Sequence, residues 1–311
     1  MSGPGAGGLP ELAVDLTPAL AAEAVEAVLR DGLDPEQCPA RLGMPVPSGE
    51  LLVMPAATER YAGVKIAGVA PANPARGLAR ITGSYLLLDG PTLLPLALLD
   101  GAALTALRTP AVTAVALDRL AAPDAAHLVL FGAGPQAYGH LAALVAVRAL
   151  RRVTVVARRP VPDLLAYAES LGLAAEQGGP AAVAGADLVV CCTTADRPLF
   201  DGALVGDHAA VAAVGSHSPT GCEVDAVLVR RAACFAEARA VARREAGDLI
   251  LGGADWAGVA NLAELVTGAV EVPQDRPRFF KSVGMAWEDL AVAAAVHESG
   301  PRRSLMGRQP A

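Results

Sequence analysis

Apolar residues in the first third of the chain recur first at helical spacing and then in short runs of strand length. Residues Pro18–Arg30 predict an amphipathic helix, with Thr17 as its N-cap and a proline at its first position. A Pro/Gly-rich stretch over residues 32–47 follows. Beyond it, short apolar runs bounded by turn residues predict strands over residues 50–54, 61–67, 83–88 and 94–98. The last two are expected to form a hairpin with Asp89-Gly90 as its turn, within a strand-rich α+β region.

The pattern changes after an apolar helical segment over residues 104–120. Strands and helices then alternate, which predicts parallel strands joined by crossover helices. We expect strands over residues 127–131, 153–157, 188–192, 211–214 and 234–236, and helices over residues 136–149 and 164–170. A last helix over residues 287–299 is expected to return to the first part of the chain.

These elements predict an α/β protein with two domains. A Rossmann-type dinucleotide-binding domain is expected over residues 123–286. An α+β domain for substrate binding and dimerisation is expected over residues 11–122 and about 287–311. Residues 1–10 are rich in Gly and Pro and lack the basic and apolar regions of a signal peptide, so we expect a disordered tail there.

Composition argues against several classes of protein. A formal net charge of −7 and scattered basic pairs give no support for a nucleic-acid surface. The apolar stretches contain Asp89, Asp100 or Asp187 before they reach the length of a membrane span, so no membrane contact is expected. The five cysteines form no CxxC pair and have no histidine at zinc spacing. We therefore expect no metal site, and reduced thiols in a cytoplasmic protein.

A glycine-rich segment, Gly132-Ala133-Gly134-Pro135-Gln136-Ala137, directly follows one predicted strand and opens the next helix. It is the GxGxxA variant of the dinucleotide fingerprint. Gly132 permits a tight turn, Gly134 lets the backbone approach a pyrophosphate, and Ala137 keeps helix and strand close. Because strand, turn, helix and next strand follow in order, we predict a nicotinamide-dinucleotide site rather than a purely structural glycine turn.

The end of the next strand bears on the choice between NAD(H) and NADP(H). NAD sites usually place an acidic residue there for the ribose 2′-hydroxyl. Here Ala157 is followed by Arg158 and Arg159, whose guanidinium groups suit a 2′-phosphate. NADP(H) is therefore favoured and NAD(H) is the alternative, in which the two arginines are only solvated surface residues.

Three cations precede the glycine-rich segment in suggestive settings. Arg41 lies in the Pro-rich loop, Lys65 lies inside an apolar strand, and Arg108 lies on an apolar helix. A charge inside an apolar element is costly unless it is paired. Taken alone, each is equally well explained as a surface residue whose aliphatic stem covers apolar area.

These cations and the segments around them resemble the ornithine cyclodeaminase/mu-crystallin family. The resemblance covers nearly the whole chain. It starts at Arg41 and continues through VMPA, KIAGVAPANPARG, PLALLDGAALTALRTPAVTAVA, LFGAGPQAYGHL, AVGSH, EAGD and FFKSVGMAWEDLAVAAAVHE. Each piece is modest alone, but the ordered set is specific.

The resemblance implies a two-domain subunit whose first-domain sheet forms a homodimer contact. It also implies that Arg41, Lys65 and Arg108 bind a substrate carboxylate. The residues expected at the cofactor are Gly132, Gly134, Pro135, Gln136, Arg158, Arg159, Thr194, Val214, Ser282 and Val283.

Departures from the family pattern separate this chain from true ornithine cyclodeaminases. Those enzymes carry an Asp where this chain has His217, and a Glu where it has Leu52. The small or hydroxyl residue usual before GSYLLL is replaced by Arg80. Both carboxylates suited to a diamine substrate are therefore missing from their family positions.

The leading hypothesis is an NADPH-dependent reductase of cyclic imino acids, of the pyrroline- or piperideine-2-carboxylate type. Lys65 is the expected carboxylate ligand or proton donor, and His217 is a second donor candidate or else a locally bonded loop histidine. The alternatives are a cyclodeaminase or amino-acid dehydrogenase, and, in another class, a mu-crystallin-like binder of NADP(H) and a small ligand. In each case the partner is a small molecule.

Overall fold

Two β-sheets with helices around them make up the structure, a computed structural model that describes residues 9–300. The tail expected over residues 1–10 lies outside the described residues except for its last two positions, and residues 301–311 also lie outside them. No helix in the described part is long and apolar enough to cross a membrane.

The first sheet has six strands in the order β1-β6-β5-β4-β3-β2. All its pairs are antiparallel except β1–β6. Its strands are β1 (Glu11–Leu12), β2 (Leu42–Val46), β3 (Gly49–Ala57), β4 (Tyr61–Val69), β5 (Ile81–Asp89) and β6 (Pro95–Asp100).

The second sheet has eight parallel strands in the order β13-β12-β14-β11-β10-β7-β8-β9. Its strands are β7 (His127–Phe131), β8 (Arg152–Val156), β9 (Ala174–Gln177), β10 (Leu188–Cys191), β11 (Ala210–Ala213), β12 (Ala233–Ala236), β13 (Ala260–Asn261) and β14 (Arg278–Lys281).

The described residues also form α-helices, several of them a single turn or two. They are α1 (Pro18–Arg30), α2 (Gly101–Leu120), α3 (Pro135–Val147), α4 (Pro162–Ser170), α5 (Ala226–Arg231), α6 (Arg239–Glu245), α7 (Gly247–Gly252), α8 (Leu262–Thr267) and α9 (Ala286–Ser299).

Alternation of side chains explains how the first sheet acquires one buried face. On β3, Leu52, Met54 and Ala56 are buried, and the residues between them are not. The buried face is covered by helices: α9 packs on β3 and β4, and also on α1 and α2. Helix α9, from the end of the described chain, thus brings its side chains to strands more than 200 residues earlier.

The central strands of the second sheet are buried on both sides, as their uninterrupted apolar runs predict. Every residue of β7, β10 and β11 is buried. Helices α2 and α3 cross closely because Gly139 has no side chain: a Cβ there would lie 2.7 Å from Cγ of Pro110. The α/β fold with a Rossmann-type sheet that the sequence predicted is confirmed.

The order of the strands reverses beside β7, which lies between β8 and β10. The chain passes from β7 to β8 on one side and then returns to place β10 on the other. A crevice forms at the carboxyl ends of the strands at such a switch point, and it is where ligands bind in sheets of this kind. The glycine-rich segment begins at this crevice.

Most predicted elements are confirmed within a few residues, and α1 and β7 have the predicted bounds. The Pro/Gly-rich stretch contains a strand that was not predicted, β2, which tolerates Pro45 because it lies at the sheet edge. Strands β1, β9, β13 and β14 and the short helices α5 to α8 were also missed. The predicted hairpin is present, but its loop is longer than Asp89-Gly90: it is closed by a hydrogen bond from the Asp89 N–H to the Leu94 carbonyl, and Leu93 is left-handed at φ 55°.

Candidate active site

The turn after β7 requires glycine at its first position. Gly132 has φ +114°, and a Cβ there would lie 2.8 Å from the carbonyl oxygen of Cys192. The Gly132 N–H donates to the Val156 carbonyl at the end of β8. The turn is therefore fixed against both neighbouring strands, as the fingerprint predicts.

The position after this turn is open. A Cβ on Gly134 would meet no other atom within 4 Å, and α3 begins at Pro135 without a side-chain cap. Uncapped backbone N–H groups at the start of a 13-residue helix favour an anionic group. This open cradle at the switch point fits the pyrophosphate of a dinucleotide.

The remaining residues predicted at the cofactor follow the carboxyl ends of neighbouring strands. Thr194 is exposed in the loop after β10, and Val214 follows β11 directly. Ser282 and Val283 follow β14 and are buried. Because parallel strands end at one edge of a sheet, the topology brings these residues to the same edge as Gly132.

Arg158 and Arg159 lie just beyond β8, next in the sheet to β7. Both side chains are exposed, and neither forms an ion pair with any of residues 9–300. The Gln177 amide donates to the Arg159 carbonyl at 2.9 Å, which fixes the backbone of this loop. Among the described residues no acid neutralises the two guanidinium groups, so both are available to bind an anion.

Two buried acids that the sequence analysis missed fix the loops around the crevice. Glu223 accepts hydrogen bonds from the Thr193 N–H at 2.8 Å, the Thr193 hydroxyl at 2.7 Å and the Gly215 N–H at 2.7 Å. Burial raises the pKa of Glu223, and these donors together with Lys281 oppose that shift. Asp248 accepts from the Glu223 N–H at 2.6 Å and pairs with the fully buried Lys281 at 2.8 Å.

Lys65 and Arg108 are almost fully buried and meet the acids of α9. The Lys65 ammonium lies 2.7 Å from Oδ2 of Asp289 and donates to the Thr105 hydroxyl at 3.1 Å. The Arg108 guanidinium lies 2.5 Å from Oε2 of Glu288. Burial lowers the pKa of Lys65 although Asp289 opposes the shift. The alternative interpretation of Lys65 and Arg108 as surface residues is wrong, because both side chains lie inside the protein.

The Arg41 side chain extends from the loop before β2 towards Arg108. Its Nη2 donates to the carbonyls of Val283 at 2.8 Å and Gly284 at 2.9 Å, and lies 2.6 Å from Glu245. Gly284, at φ +79°, also faces Arg108, whose Nη1 would lie 2.7 Å from a Cβ there. Arg41 and Arg108 therefore converge on Gly284, and Arg108 and Lys65 converge on Asp289.

Glu237 holds the loop between β14 and α9, and the sequence analysis missed it. Its carboxylate accepts from the Ser282 hydroxyl at 2.5 Å, the Val283 N–H at 2.8 Å and the Gly284 N–H at 2.9 Å. The residue is buried. A buried carboxylate thus fixes this loop, which contains Ser282 and Val283, two of the residues predicted at the cofactor.

His217 lies in the loop after β11, and its side chain is exposed and makes no hydrogen bond to the described residues. Desolvation by the surrounding protein lowers the pKa of His217, and the positive charges of Arg41, Lys281 and Arg80 act in the same direction. Glu50 opposes them. At neutral pH the ring is therefore mostly uncharged.

An acid lies close to Leu52, one of the two positions at which the family's carboxylate is missing. Leu52 is buried on the face of β3 that meets the helices, as its apolar side chain requires. Glu50 lies two residues earlier on the same face of the strand, and its charge acts on His217. Glu50 thus places an acid two residues before Leu52, the position at which true ornithine cyclodeaminases carry a Glu.

The geometry supports three chemical abilities. Arg41, Lys65 and Arg108 can bind a carboxylate, and the residues around Gly134 can bind a pyrophosphate. Lys65, with its lowered pKa, can hold or release a proton. No group of three or more His, Cys, Asp or Glu residues within residues 9–300 is arranged to hold a metal ion.

Comparison with known proteins gives matches along most of the chain. The sequence model of the ornithine cyclodeaminase/mu-crystallin family matches residues 12–303. Delta(1)-pyrroline-2-carboxylate reductase 2 of Burkholderia ambifaria is 32% identical over 91% of each chain. The ketimine reductase mu-crystallin of Mus musculus is 34% identical over 84% of each chain.

A solved structure with the same fold has ligands bound. It is the Delta(1)-pyrroline-2-carboxylate reductase of Thermococcus litoralis in complex with NADH and L-proline. Its TM-score to this chain is 0.87 at 27% sequence identity, and the match covers 93% of this chain and 97% of that one.

Proposed function

The chain belongs to the ornithine cyclodeaminase/mu-crystallin family, and on this premise we propose that it reduces a cyclic imino acid to the cyclic amino acid. The substrate class is a ketimine such as pyrroline-2-carboxylate or piperideine-2-carboxylate. The observation that carries the proposal is the convergence of Arg41 and Arg108 on Gly284, with Lys65 beside them on Asp289. Three cations that converge beside a dinucleotide cradle suit a small α-carboxylate.

Each residue then has a role in binding or proton transfer. Arg41 and Arg108 hold the substrate carboxylate, which places the adjacent imine carbon against the cofactor crevice. A bound nicotinamide dinucleotide supplies a hydride to that carbon. Lys65 supplies or retains the proton at the imine nitrogen, and its lowered pKa makes the ammonium a better acid than a solvated lysine.

His217 is the second candidate for the proton donor. It can donate as an imidazolium only below its lowered pKa. A rate that depends on this proton must therefore fall as pH rises through that pKa. His217→Ala should change the pH profile of the reaction if His217 is the donor and should leave its shape alone if Lys65 is.

The cofactor that we propose is NADP(H), with NAD(H) as the weaker alternative. Support comes from Arg158 and Arg159, which have no ion-pair partner among residues 9–300 and extend from the loop next to the glycine-rich turn. An acidic residue, which would repel a 2′-phosphate, is absent from the end of β8.

The assembly that we propose is a homodimer formed through the outer face of the first sheet. Leu42, Val53 and Ile66 oppose one another across β2, β3 and β4 on that face. Leu42 is 60% exposed and Ile66 50% exposed in the isolated chain. A continuous apolar face of this kind is typical of a surface covered by a partner subunit.

The domain boundaries and the location remain part of the proposal. We place the dinucleotide domain at residues 123–286 and the other domain at residues 11–122 and from about residue 287 onward. All five cysteines are free thiols, as expected of a protein in the cytoplasm.

The test is oxidation of NADPH against a panel of cyclic and linear ketimines, with NADH as the comparison cofactor. We expect turnover on pyrroline- or piperideine-2-carboxylate and much slower turnover on linear ketimines. Tight NADPH binding without turnover on any panel member would instead indicate a binding protein.

A further inference from the structure

The carboxylate-binding site contains more buried acid than buried base. Lys65 and Arg108 are its buried cations, and Glu237, Glu288 and Asp289 are the buried acids that contact them or lie beside them. Arg41 adds no net charge because Glu245 pairs with it. If every group were ionised, the site would carry a net negative charge before any substrate carboxylate arrived.

A site in that state would repel the carboxylate of the substrate that we propose for it. Charges interact strongly where water is excluded, and each of these three acids is at most 1% exposed. One of the acids must therefore hold a proton if the buried cations are to remain available to that carboxylate. The hydrogen bonds of the acids indicate which one it is.

Glu237 is surrounded by hydrogen-bond donors. Its two oxygens accept from the Ser282 hydroxyl and from the N–H groups of Val283 and Gly284. A carboxylate with several N–H and O–H donors is stabilised in its charged state. Asp289 accepts a hydrogen bond on Oδ1 from the Lys65 ammonium at 2.8 Å.

Glu288 is suited to the neutral form. Its Oε2 contacts Arg108, but its Oε1 is buried and has no partner among the hydrogen-bond donors of residues 9–300. The negative charge of Glu237 acts on Glu288, and only a protonated Glu288 could donate a hydrogen bond to that acceptor. Burial and the charge of Glu237 raise the pKa of Glu288 well above its ordinary value.

We propose that Glu288 is protonated in the enzyme at neutral pH and donates its hydrogen bond to Glu237, so that the positive charge of Arg108 remains available for the substrate carboxylate. The inference rests on the proposed function only for the identity of that carboxylate. Glu288 is a positioning residue in this scheme, because it contacts Arg108 rather than the substrate.

The charges then balance at each stage. With Glu288 neutral, Lys65 and Arg108 offset Asp289 and Glu237. A substrate that carries one carboxylate and one protonated imine nitrogen adds no net charge, so the occupied site remains neutral. An ionised Glu288 would leave one unbalanced negative charge inside the protein.

The groups that face Glu288 come from several elements. They are Arg108 on α2, Lys65 on β4, Asp289 beside it on α9, Glu237 after β12 and Cys38 before β2. Burial raises the pKa of the Cys38 thiol to about 11, so the thiol is uncharged and adds nothing to this balance.

The first test is infrared spectroscopy of the protein labelled with 13C-glutamate, in D2O at neutral pH and without substrate. We expect the C=O stretching band of a protonated carboxylic acid, shifted by the label, and we expect that band to vanish in Glu288→Gln. Glu288→Asp, which removes the labelled carboxyl group, provides the same assignment if the first variant does not fold. Absence of the band, or its persistence in both variants, would overturn the proposal.

The second test is the affinity for L-proline at neutral pH in the presence of NADPH, measured by calorimetry. Glu288→Gln should not tighten binding, because it replaces one neutral group with another. Glu245→Gln is the matched control: it removes the ionised partner of Arg41 and should tighten binding severalfold. Tightening of about tenfold or more in Glu288→Gln would show that a charge had been removed and would contradict the proposal.

These two tests separate the inference from the proposed function. The infrared band needs neither turnover nor ligand, so it decides the protonation of Glu288 even if no ketimine is reduced. A protein with the band that fails to bind L-proline or reduce any ketimine would retain this inference and lose the proposed substrate class.

Discussion

The Lys65 ammonium lies 2.7 Å from Oδ2 of Asp289, and the two side chains are 4% and 0% exposed. They are 224 residues apart in the chain. An isolated lysine in an apolar strand would be costly, but here α9 supplies its counter-ion. The pair joins the first sheet to the last described helix and also positions the ammonium that we assign to the proton at the imine nitrogen.

The first prediction separates these two roles of Lys65. Lys65→Met leaves Asp289 buried without its closest cation, so the variant should lose about 3 kcal/mol of unfolding free energy and most of its activity. Lys65→Met/Asp289→Asn removes both charges and should recover much of the stability. It should still reduce ketimines at least about 100-fold more slowly than the wild type, because the proposed proton donor is gone.

Urea unfolding and steady-state kinetics on the same samples measure both effects. Recovery of activity together with stability in the double variant would show that Lys65 has only a structural role.

The second prediction concerns cofactor preference. Arg158→Ala/Arg159→Ala should weaken NADPH binding about tenfold or more and should change NADH binding much less, because only NADPH carries the 2′-phosphate. Fluorescence titration with both cofactors measures this. Arg151→Ala is the control, since Arg151 is exposed just before the start of β8, at the opposite end of that strand. Unchanged NADPH affinity in the double variant would count against the assignment.

The third prediction concerns assembly. The wild type should be a dimer by light scattering at micromolar concentration, and Ile66→Glu should be largely monomeric because it places charge on the proposed contact face. Leu251→Glu is the control, since Leu251 is 54% exposed on α7, away from the first sheet. A monomeric wild type, or a dimer disrupted equally by both variants, would contradict the proposed contact.

The fourth prediction concerns stability in acid. His140 is fully buried, and burial lowers its pKa from 6.5 to about 4, although the Gln136 carbonyl partly opposes the shift. The unfolded chain therefore binds a proton that the folded chain excludes, so stability is lost as pH falls from the unfolded value towards the folded one. His140 should contribute a loss of about 2 to 3 kcal/mol over this window.

The measurement is the urea unfolding free energy of wild type and His140→Gln at neutral pH and at a pH just above 4. His140→Gln should lose stability at neutral pH through its altered contacts, but its further loss in acid should be smaller. An equal acid loss in both proteins would show that the proton responsible binds elsewhere.

The fifth prediction concerns cyclodeamination. A terminal amine with a reference pKa of about 10.4 must lose its proton before it can close a ring, which is work for a nearby carboxylate. With Leu52 and His217 at the two family positions, we expect ammonia release from L-ornithine below about one hundredth of the rate of ketimine reduction. Proline formation from ornithine at the rate of ketimine reduction would contradict this prediction. Glu50→Gln then identifies the source of any residual ammonia release, since Glu50 lies on the same strand face as Leu52.

The local sequence was sufficient to predict the glycine-rich turn and the strand before it, which form the dinucleotide-binding part of the site. The glycine-rich turn, β7 and α1 were predicted closely because turns, caps and apolar periodicity act over a few residues. The family resemblance indicated Arg41, Lys65 and Arg108 as a set. One available signal was overlooked: Glu288 and Asp289 are adjacent acids in an otherwise apolar helix, and such acids need buried partners.

The tertiary structure decided which acid contacts which cation. Asp289 pairs with Lys65, Glu288 meets Arg108 and Glu245 holds Arg41, and each pair joins segments at least 180 residues apart. The same holds for β14, whose Lys281 is acceptable inside a buried strand because Asp248 lies 2.8 Å away. A charge in an apolar segment indicates from the sequence alone that a counter-ion is needed. Which residue provides that counter-ion depends on the tertiary packing, which brings α9 and the loop before it against the first sheet.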